Sequence, residues 1–207
     1  MIRAAISSLS RLDVADEAAQ ISCGCSQDWY SDEWQRRAGC GPSTFTNVLW
    51  YTGRRAADAE STGKPGFIAL MENVWEFVTP GERGIPSTEK LVSGITAYTQ
   101  RHGLDITTCE LQIPETRDER PGLPAVIDFI AATLAVDLPV AFLSLDKGEE
   151  ENLDTWHWVT LVSIEYNDEK AEAFIEVLDN GKRLRADLKL WYNTTGRGGG
   201  FVGFSKA

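Results

Sequence analysis

The chain is 207 residues long, 43% of its residues are apolar and seven are tryptophan, which is enough to bury one sizeable core. A formal net charge of −11 argues against nucleic acid and against an anionic membrane surface as partners. Because the chain has no run of about 18 apolar residues and no signal-peptide core at its N-terminus, we expect a cytoplasmic protein. We expect residues 1–207 to form a single domain.

The four cysteines are too few to form a disulfide scaffold in a chain of this size. Cys23 and Cys25 are separated by one glycine, which is not a zinc-ligand spacing, and no second cysteine pair or nearby histidine completes a site. We therefore expect no metal or other cofactor. We interpret Cys23 and Cys25 as structural or incidental thiols, and we expect Cys109 to be a small buried residue.

The first clear element in the chain is a helix that begins at Cys40. This cysteine stands between two glycines, and Pro42 follows in the first helical turn, a position that proline favours. Apolar residues then recur at helical spacing as far as Tyr51, and Gly53 is a suitable stop. The pattern predicts a core helix with a cysteine at its N-terminus, where the helix dipole favours a thiolate.

Three further helices are predicted downstream, and together with the Cys40 helix they make a helical lobe of about residues 26–137. His102 stands near the end of the second of these three helices, where basic residues often cap the last carbonyl groups, so we assign it a capping role. The apolar spacing places the three helices at residues 67–78, 87–101 and 123–136.

The remaining sequence has the pattern of β-strands, which predicts a β lobe of about residues 138–207. One earlier strand is predicted near residues 105–113. Helices followed by strands with short turns indicate an α+β protein, in which the Cys40 helix packs on an antiparallel sheet. The predicted strands of the β lobe lie at residues 140–145, 156–166, 171–178, 184–190 and 201–204.

Cys40 and His157 are the candidate nucleophile and base of a thiol-dependent reaction. A thiol needs a base that removes its proton and a third group that orients the base. Asp179 and Asn180 end the strand predicted after that of His157, and strand alternation puts their side chains on opposite faces, so only one can reach the site. We expect this residue to be Asp179, because a carboxylate stabilises an imidazolium better than an amide does.

The motifs around these residues resemble those of the bacteriocin-processing peptidase-like group of papain-like cysteine proteases. The resemblance covers about residues 26–204, and it implies a papain-like fold with Cys40 as nucleophile, His157 as base and Asp179 as orienter. One departure is that Asn180 and Gly181 follow the aspartate, where the family often has proline. The matching segments are Gln27-Asp28-Trp29, Gly39-Cys40-Gly41-Pro42-Ser43, Trp156-His157-Trp158-Val159 and residues 188–202.

The resemblance also implies a glutamine that donates a hydrogen bond to the developing oxyanion, together with the backbone N–H of Cys40. Gln27 and Gln35 are the alternatives. Gln35 is closer to Cys40 in sequence but lies in a charged run, whereas Gln27 has the family-like Gln-Asp-Trp context. We favour Gln27.

These residues support three hypotheses: a cysteine peptidase-like hydrolase of peptide or other amide bonds, an acyl transferase or transamidase with the same triad, and a catalytically silent binding module. The presence of all four types of site residue favours an enzyme that acts on a peptide or protein. The acidic loop at residues 146–154 runs directly into His157. We predict that this loop rims the cleft and favours basic substrates.

Overall fold

A computed structural model of the chain describes residues 1–16, 19–53, 63–170 and 172–205, and it confirms the predicted α+β fold of helices and an antiparallel sheet. The predicted strand at residues 171–178 therefore has its first residue outside the described ranges. The helices are α1 (Glu33–Ala38), α2 (Cys40–Thr52), α3 (Gly63–Trp75), α4 (Thr88–His102), α5 (Leu123–Ala135) and α6 (Leu188–Thr194). None of the helices in these ranges is both long and apolar enough to cross a membrane.

The strands include the predicted ones and three short strands near the N-terminus. All pairings between neighbouring strands are antiparallel. The strands are β1 (Ile2–Ala5), β2 (Asp13–Ala15), β3 (Ile21–Cys23), β4 (Thr107–Ile113), β5 (Val140–Ser144), β6 (His157–Asn167), β7 (Glu172–Asp179), β8 (Lys182–Asp187) and β9 (Gly199–Ser205).

The main sheet has the strand order β4-β9-β5-β6-β7-β8, and β1 also pairs with β6. Every residue of β5 and the first eight residues of β6 are buried, so the centre of the sheet is covered on both faces. The helix α2 packs against β5 and β6, and α5 contacts β1, β5, β6 and β9. His157 therefore begins a central strand that is fixed by neighbours on every side.

The helix α2 begins at Cys40, as predicted, with Gly39 at its N-cap and Gly53 in the left-handed conformation at its end. Its residues from Gly41 to Tyr51 are all buried. Phe45, near its middle, contacts the ring of Tyr98 in α4 and stacks on Phe204 in β9. This central helix thus joins the other helices to the sheet, and its first residue lies at the boundary between them.

One prediction about local structure is wrong late in the chain. Residues 188–190 belong to α6 rather than to a strand, because Asp187 caps a helix there by accepting a hydrogen bond from the N–H of Leu190 at 2.9 Å. The N-terminal residues, whose sequence pattern is ambiguous, contribute β1 to the main sheet.

Candidate active site

His157 begins β6, and its imidazole is bound by a carboxylate from the adjacent strand β7. The ring nitrogen Nε2 lies 2.7 Å from Oδ1 of Asp179, and His157 is only 9% exposed. Because an imidazole has two ring nitrogens, Nδ1 is the one left to serve a second partner. The carboxylate thus fixes both the orientation of the ring and the nitrogen that faces the site.

The turn after β7 separates the two candidate orienting residues. Asn180 and Gly181 both have positive φ angles, 46° and 75°, which is the geometry of a tight two-residue hairpin loop. The side chain of Asn180 points away from the histidine, and its Oδ1 accepts hydrogen bonds from the N–H of Gln27 at 3.3 Å and from Oγ of Ser26 at 3.4 Å. In this structure Asp179, and not Asn180, contacts the ring.

Cys40 is the second partner of His157. Its thiol lies close enough to the ring to affect the pKa of the imidazole. Burial alone would lower the pKa of His157, but hydrogen bonds with Asp179 and Cys40 and the negative charges of both partners outweigh it and raise the pKa to about 10. The three side chains thus form a chain in which a proton can pass between sulfur and Nδ1 while the carboxylate stabilises an imidazolium.

The other three cysteines occupy environments that favour the neutral thiol. Burial raises the pKa of Cys25 to about 12, and its Sγ donates to the carbonyl oxygen of Ser43 at 3.2 Å. Desolvation also raises the pKa values of Cys23 and Cys109. The prediction that Cys109 is buried is wrong, because its side chain is exposed on β4. Among the four thiols, only Cys40 combines partial exposure, a helix N-terminus and contact with a histidine.

The two candidate glutamines have different partners. Nε2 of Gln27 donates to the carbonyl oxygen of Arg36 at 2.8 Å, while its Oε1 is buried and has no hydrogen-bond partner within the described parts of the chain. Since an amide nitrogen carries two hydrogens, one N–H of Gln27 remains available. Nε2 of Gln35 instead donates to Glu72 in α3 at 2.7 Å.

A cavity of about 320 Å³ opens beside Cys40. One wall is a tight turn in which Gly81 and Gly84 exchange backbone hydrogen bonds, and Ile85 follows it. Trp158, one residue after His157, donates from its indole N–H to the carbonyl oxygen of Ile85 at 2.8 Å and holds this wall against β6. The sequence pattern around residues 80–86 predicted no functional role for this turn, although its paired glycines are a usable signal.

None of residues 146–154 lines this cavity, and the last of them, Asp154, has a carboxylate within 4.8 Å of the ligand atoms of His157 and Asp179. Glu150 is buried and accepts hydrogen bonds from the backbone N–H groups of Asn152 and Asp187. Asp146 likewise accepts from two backbone N–H groups, which lowers its pKa. These carboxylates brace the loop against β8 and the segment after α6.

His102 does not line the cavity beside Cys40. Its ring packs at 4.4 Å from the ring of Tyr98 and at 5.6 Å from that of Phe77, measured between centroids. It stands at the end of α4, as the sequence predicts, and packs there as an aromatic residue.

Asp154, His157 and Asp179 are the described residues whose ligand atoms lie close enough together, within 4.8 Å, to be considered for a metal ion. Ligands at 2.0–2.2 Å from a tetrahedral zinc lie roughly 3.3 Å apart. The 2.7 Å separation between His157 and Asp179 is that of a direct hydrogen bond, so these two side chains are arranged for each other rather than for a cation.

No protein-family model matches this sequence, and no curated protein is similar to it. The structure is similar to the crystal structure of UfSP from C. elegans, with a TM-score of 0.56 and 9% sequence identity. The fold is papain-like. The match covers 100% of this chain but only 34% of the UfSP chain, so this protein spans about a third of the length of that cysteine protease. At this identity the similarity shows the fold alone.

Proposed function

We propose that this protein is a thiol hydrolase that cleaves a peptide or other amide bond by acyl transfer, with Cys40 as nucleophile, His157 as base and Asp179 as orienter. The observation that carries the proposal is the position of His157, which has the Cys40 thiol on one side and the Asp179 carboxylate on the other. The papain-like fold is consistent with it. We propose a peptide or protein as substrate and a single domain over residues 1–207.

In the proposed first step, Nδ1 of His157 takes the proton of Cys40, and the thiolate attacks the amide carbonyl carbon. The oxygen becomes an oxyanion, which the backbone N–H of Cys40 and the free N–H of Gln27 stabilise. When the C–N bond breaks, the imidazolium gives its proton to the leaving amine and a thioester remains. A water molecule, deprotonated by His157, then attacks the thioester, releases the acid and restores the thiol.

The narrower assignment to the bacteriocin-processing peptidase-like group stays a prediction that rests on the sequence motifs. An acyl transferase would use the same residues, with an amine in place of water in the second step. Adding a primary amine to a reaction mixture distinguishes the two, because a transferase would form the new amide in preference to the free acid.

The test of the proposed function is alkylation of the folded protein with limiting iodoacetamide at neutral pH, followed by digestion of a peptide library. We expect Cys40 to react before Cys23, Cys25 and Cys109, because the pKa values of the other three thiols are raised. His157→Ala should slow both labelling of Cys40 and peptide cleavage by about 100-fold, since it removes the base. An His102→Ala variant serves as the control and should keep wild-type rates.

Two results would contradict the proposal. One is a first adduct on Cys23 or Cys25 with Cys40 unmodified. The other is a peptide cleavage rate that His157→Ala leaves unchanged, which would leave the silent binding module as the better description.

A further inference from the structure

The walls of the cavity beside Cys40 carry two tryptophans whose rings are open to solvent. Trp34 is 42% exposed and Trp156 is 44% exposed, although most large apolar side chains of the described residues are buried. Apolar rings exposed together at a concave site are typical of a binding surface. The cavity therefore presents aromatic faces to whatever enters it.

Both tryptophans are held in place by local structure. The backbone N–H of Trp34 donates to Oδ1 of the N-cap residue Asp32 at 2.8 Å, which fixes the backbone of Trp34 in the first turn of α1. Trp156 has a φ of 58°, a left-handed conformation that is rare for a bulky residue and marks local strain. The guanidinium of Arg197 lies 5.7 Å from the centre of its ring. A strained backbone that directs an indole toward solvent, directly before His157, is typical of a functional site.

The charged residues of the cavity are positive on balance. Arg37 and Arg83 line it together with one acidic residue, Glu82. Neither arginine forms an ion pair with another described residue. A second cavity, over strands β1, β6, β7 and β8, differs because its arginines are paired. Arg3 and Arg185 pair with Glu165, and Arg183 pairs with Glu176.

This local charge is opposite to that of the whole molecule. With a net charge of −11, the general surface repels an acidic ligand, so two arginines without an ion-pair partner among the described residues make the cavity beside the nucleophile an exception. Complementary charge at a binding site selects its partner and suppresses others. The charges at this cleft therefore favour acidic over basic ligands, the reverse of what the loop at residues 146–154 suggests from sequence.

We propose that the cleft selects peptide segments in which an aromatic residue lies next to an acidic residue. The aromatic side chain packs against Trp34 and Trp156, and the carboxylate pairs with Arg37 or Arg83. This inference rests on the proposed function, because it takes the ligand to be the peptide that Cys40 attacks.

The test measures binding without catalysis, in the full chain carrying Cys40→Ala. The probes are N-acetylated hexapeptide amides in which a Phe-Asp pair occupies each position in turn, with matched Ala-Asp and Phe-Lys peptides, and affinity is measured by calorimetry. For the best register we expect Phe-Asp to bind about tenfold more tightly than either matched peptide. Because the nucleophile is absent, this result is independent of whether the wild-type protein hydrolyses anything.

Three sets of variants in the same background assign the two preferences. Arg37→Gln with Arg83→Gln should abolish the preference of Asp over Lys and keep that of Phe over Ala. Trp34→Ala should abolish the preference of Phe over Ala and keep that of Asp over Lys. Trp156→Asn should have the same effect, and asparagine is chosen there because it tolerates the left-handed backbone. Arg101→Gln, on the exposed surface of α4, is the matched control and should change neither preference.

The inference is overturned if the three peptides bind within twofold of one another, if none binds at millimolar concentration, or if Arg101→Gln has the same effect as the cleft variants. Cys40 labelling and peptide cleavage by the wild-type protein would stand in all of these cases, so failure of this inference is distinct from failure of the proposed function.

Discussion

The imidazole of His157 has Asp179 on one side and Cys40 on the other, and both residues affect its pKa. Burial favours the neutral imidazole, yet the hydrogen bonds and charges of Asp179 and Cys40 raise its pKa to about 10, against an ordinary value of 6.5. The raised pKa thus favours the imidazolium–thiolate pair that forms when the proton of Cys40 passes to Nδ1 of His157.

Removing either partner should lower the pKa of His157, which NMR titration of the imidazole resonances can follow with His102 as an internal reference. We expect a decrease in both Asp179→Ala and Cys40→Ala, because each removes a hydrogen bond and a negative charge. Asn180→Gly is the control, since it keeps the left-handed turn and removes only the amide that binds Ser26 and Gln27. If the pKa of His157 decreased more in Asn180→Gly than in Asp179→Ala, the orienting residue would be Asn180 and not Asp179.

The same raised pKa makes a prediction about stability. Because the folded state holds the proton more tightly than the unfolded state, His157 contributes stability that is fully present below about pH 6.5 and is lost as the pH rises through about 10. The free energy of unfolding of the wild type should therefore fall relative to that of Asp179→Ala across this window. Denaturant titrations of both proteins at several pH values check this prediction. It would be contradicted if the free energy of unfolding of the wild type rose with pH relative to that of Asp179→Ala.

Gln27 and Gln35 can be separated by their effects on turnover. Gln27→Ala should lower kcat by about 100-fold, because one oxyanion donor is lost. Gln35→Ala should keep kcat near the wild-type value, since the Gln35 amide already donates to Glu72. Peptide cleavage measured at saturating substrate decides between them, and the reverse order of effects would identify Gln35 as the donor.

At the scale of elements, one side chain joins the helix of the nucleophile to the strand of the base. Asn47, in α2, is buried; its Oδ1 accepts from the N–H of Cys25 at 2.9 Å and its Nδ2 donates to Oγ1 of Thr160 at 3.0 Å. Thr160 lies three residues after His157 in β6. The position of α2 along β6, and with it the approach of Cys40 to His157, depends on this amide.

Asn47→Ala should lower the free energy of unfolding by about 1–3 kcal/mol, because it leaves the buried N–H of Cys25 unpaired. It should also slow Cys40 alkylation. The matched control is Asn73→Ala in α3, where the Oδ1 that is removed has no hydrogen-bond partner among the described residues. Chemical denaturation measures both, and equal losses in the two variants would show that the link between α2 and β6 is unimportant.

At the scale of the whole molecule, most elements could be predicted because their signals are local. The helix from Cys40 follows from Pro42 and a run of apolar residues. For the partner of His157, strand alternation leaves a choice between Asp179 and Asn180, and the chemistry of a carboxylate selects Asp179. Residues 188–190 were wrongly predicted as part of a strand, because their apolar spacing suits a strand as well as a helix. Asp187, three residues before Leu190, was the available capping signal.

The tryptophans and arginines that line the cavity beside Cys40 could not be predicted to lie together, because they come from three segments that are distant in the sequence. Trp34, Arg83 and Trp156 meet only once α1, the turn at residues 81–84 and the start of β6 are packed together. Neither periodicity nor composition encodes such proximity. Likewise, the N-terminal strand β1 has a weak pattern of its own, and its place beside β6 depends on the finished sheet.

The strand order has a consequence for how the protein is made. The strand β9 lies between β4 and β5, although it is synthesised after every other strand. During translation the residues of the proposed triad leave the ribosome first, while β4 and β5 still lack their shared neighbour and expose unpaired backbone edges. Such edges recruit other chains. The interval before residues 199–205 emerge is therefore the time at which the nascent polypeptide most needs protection by a chaperone.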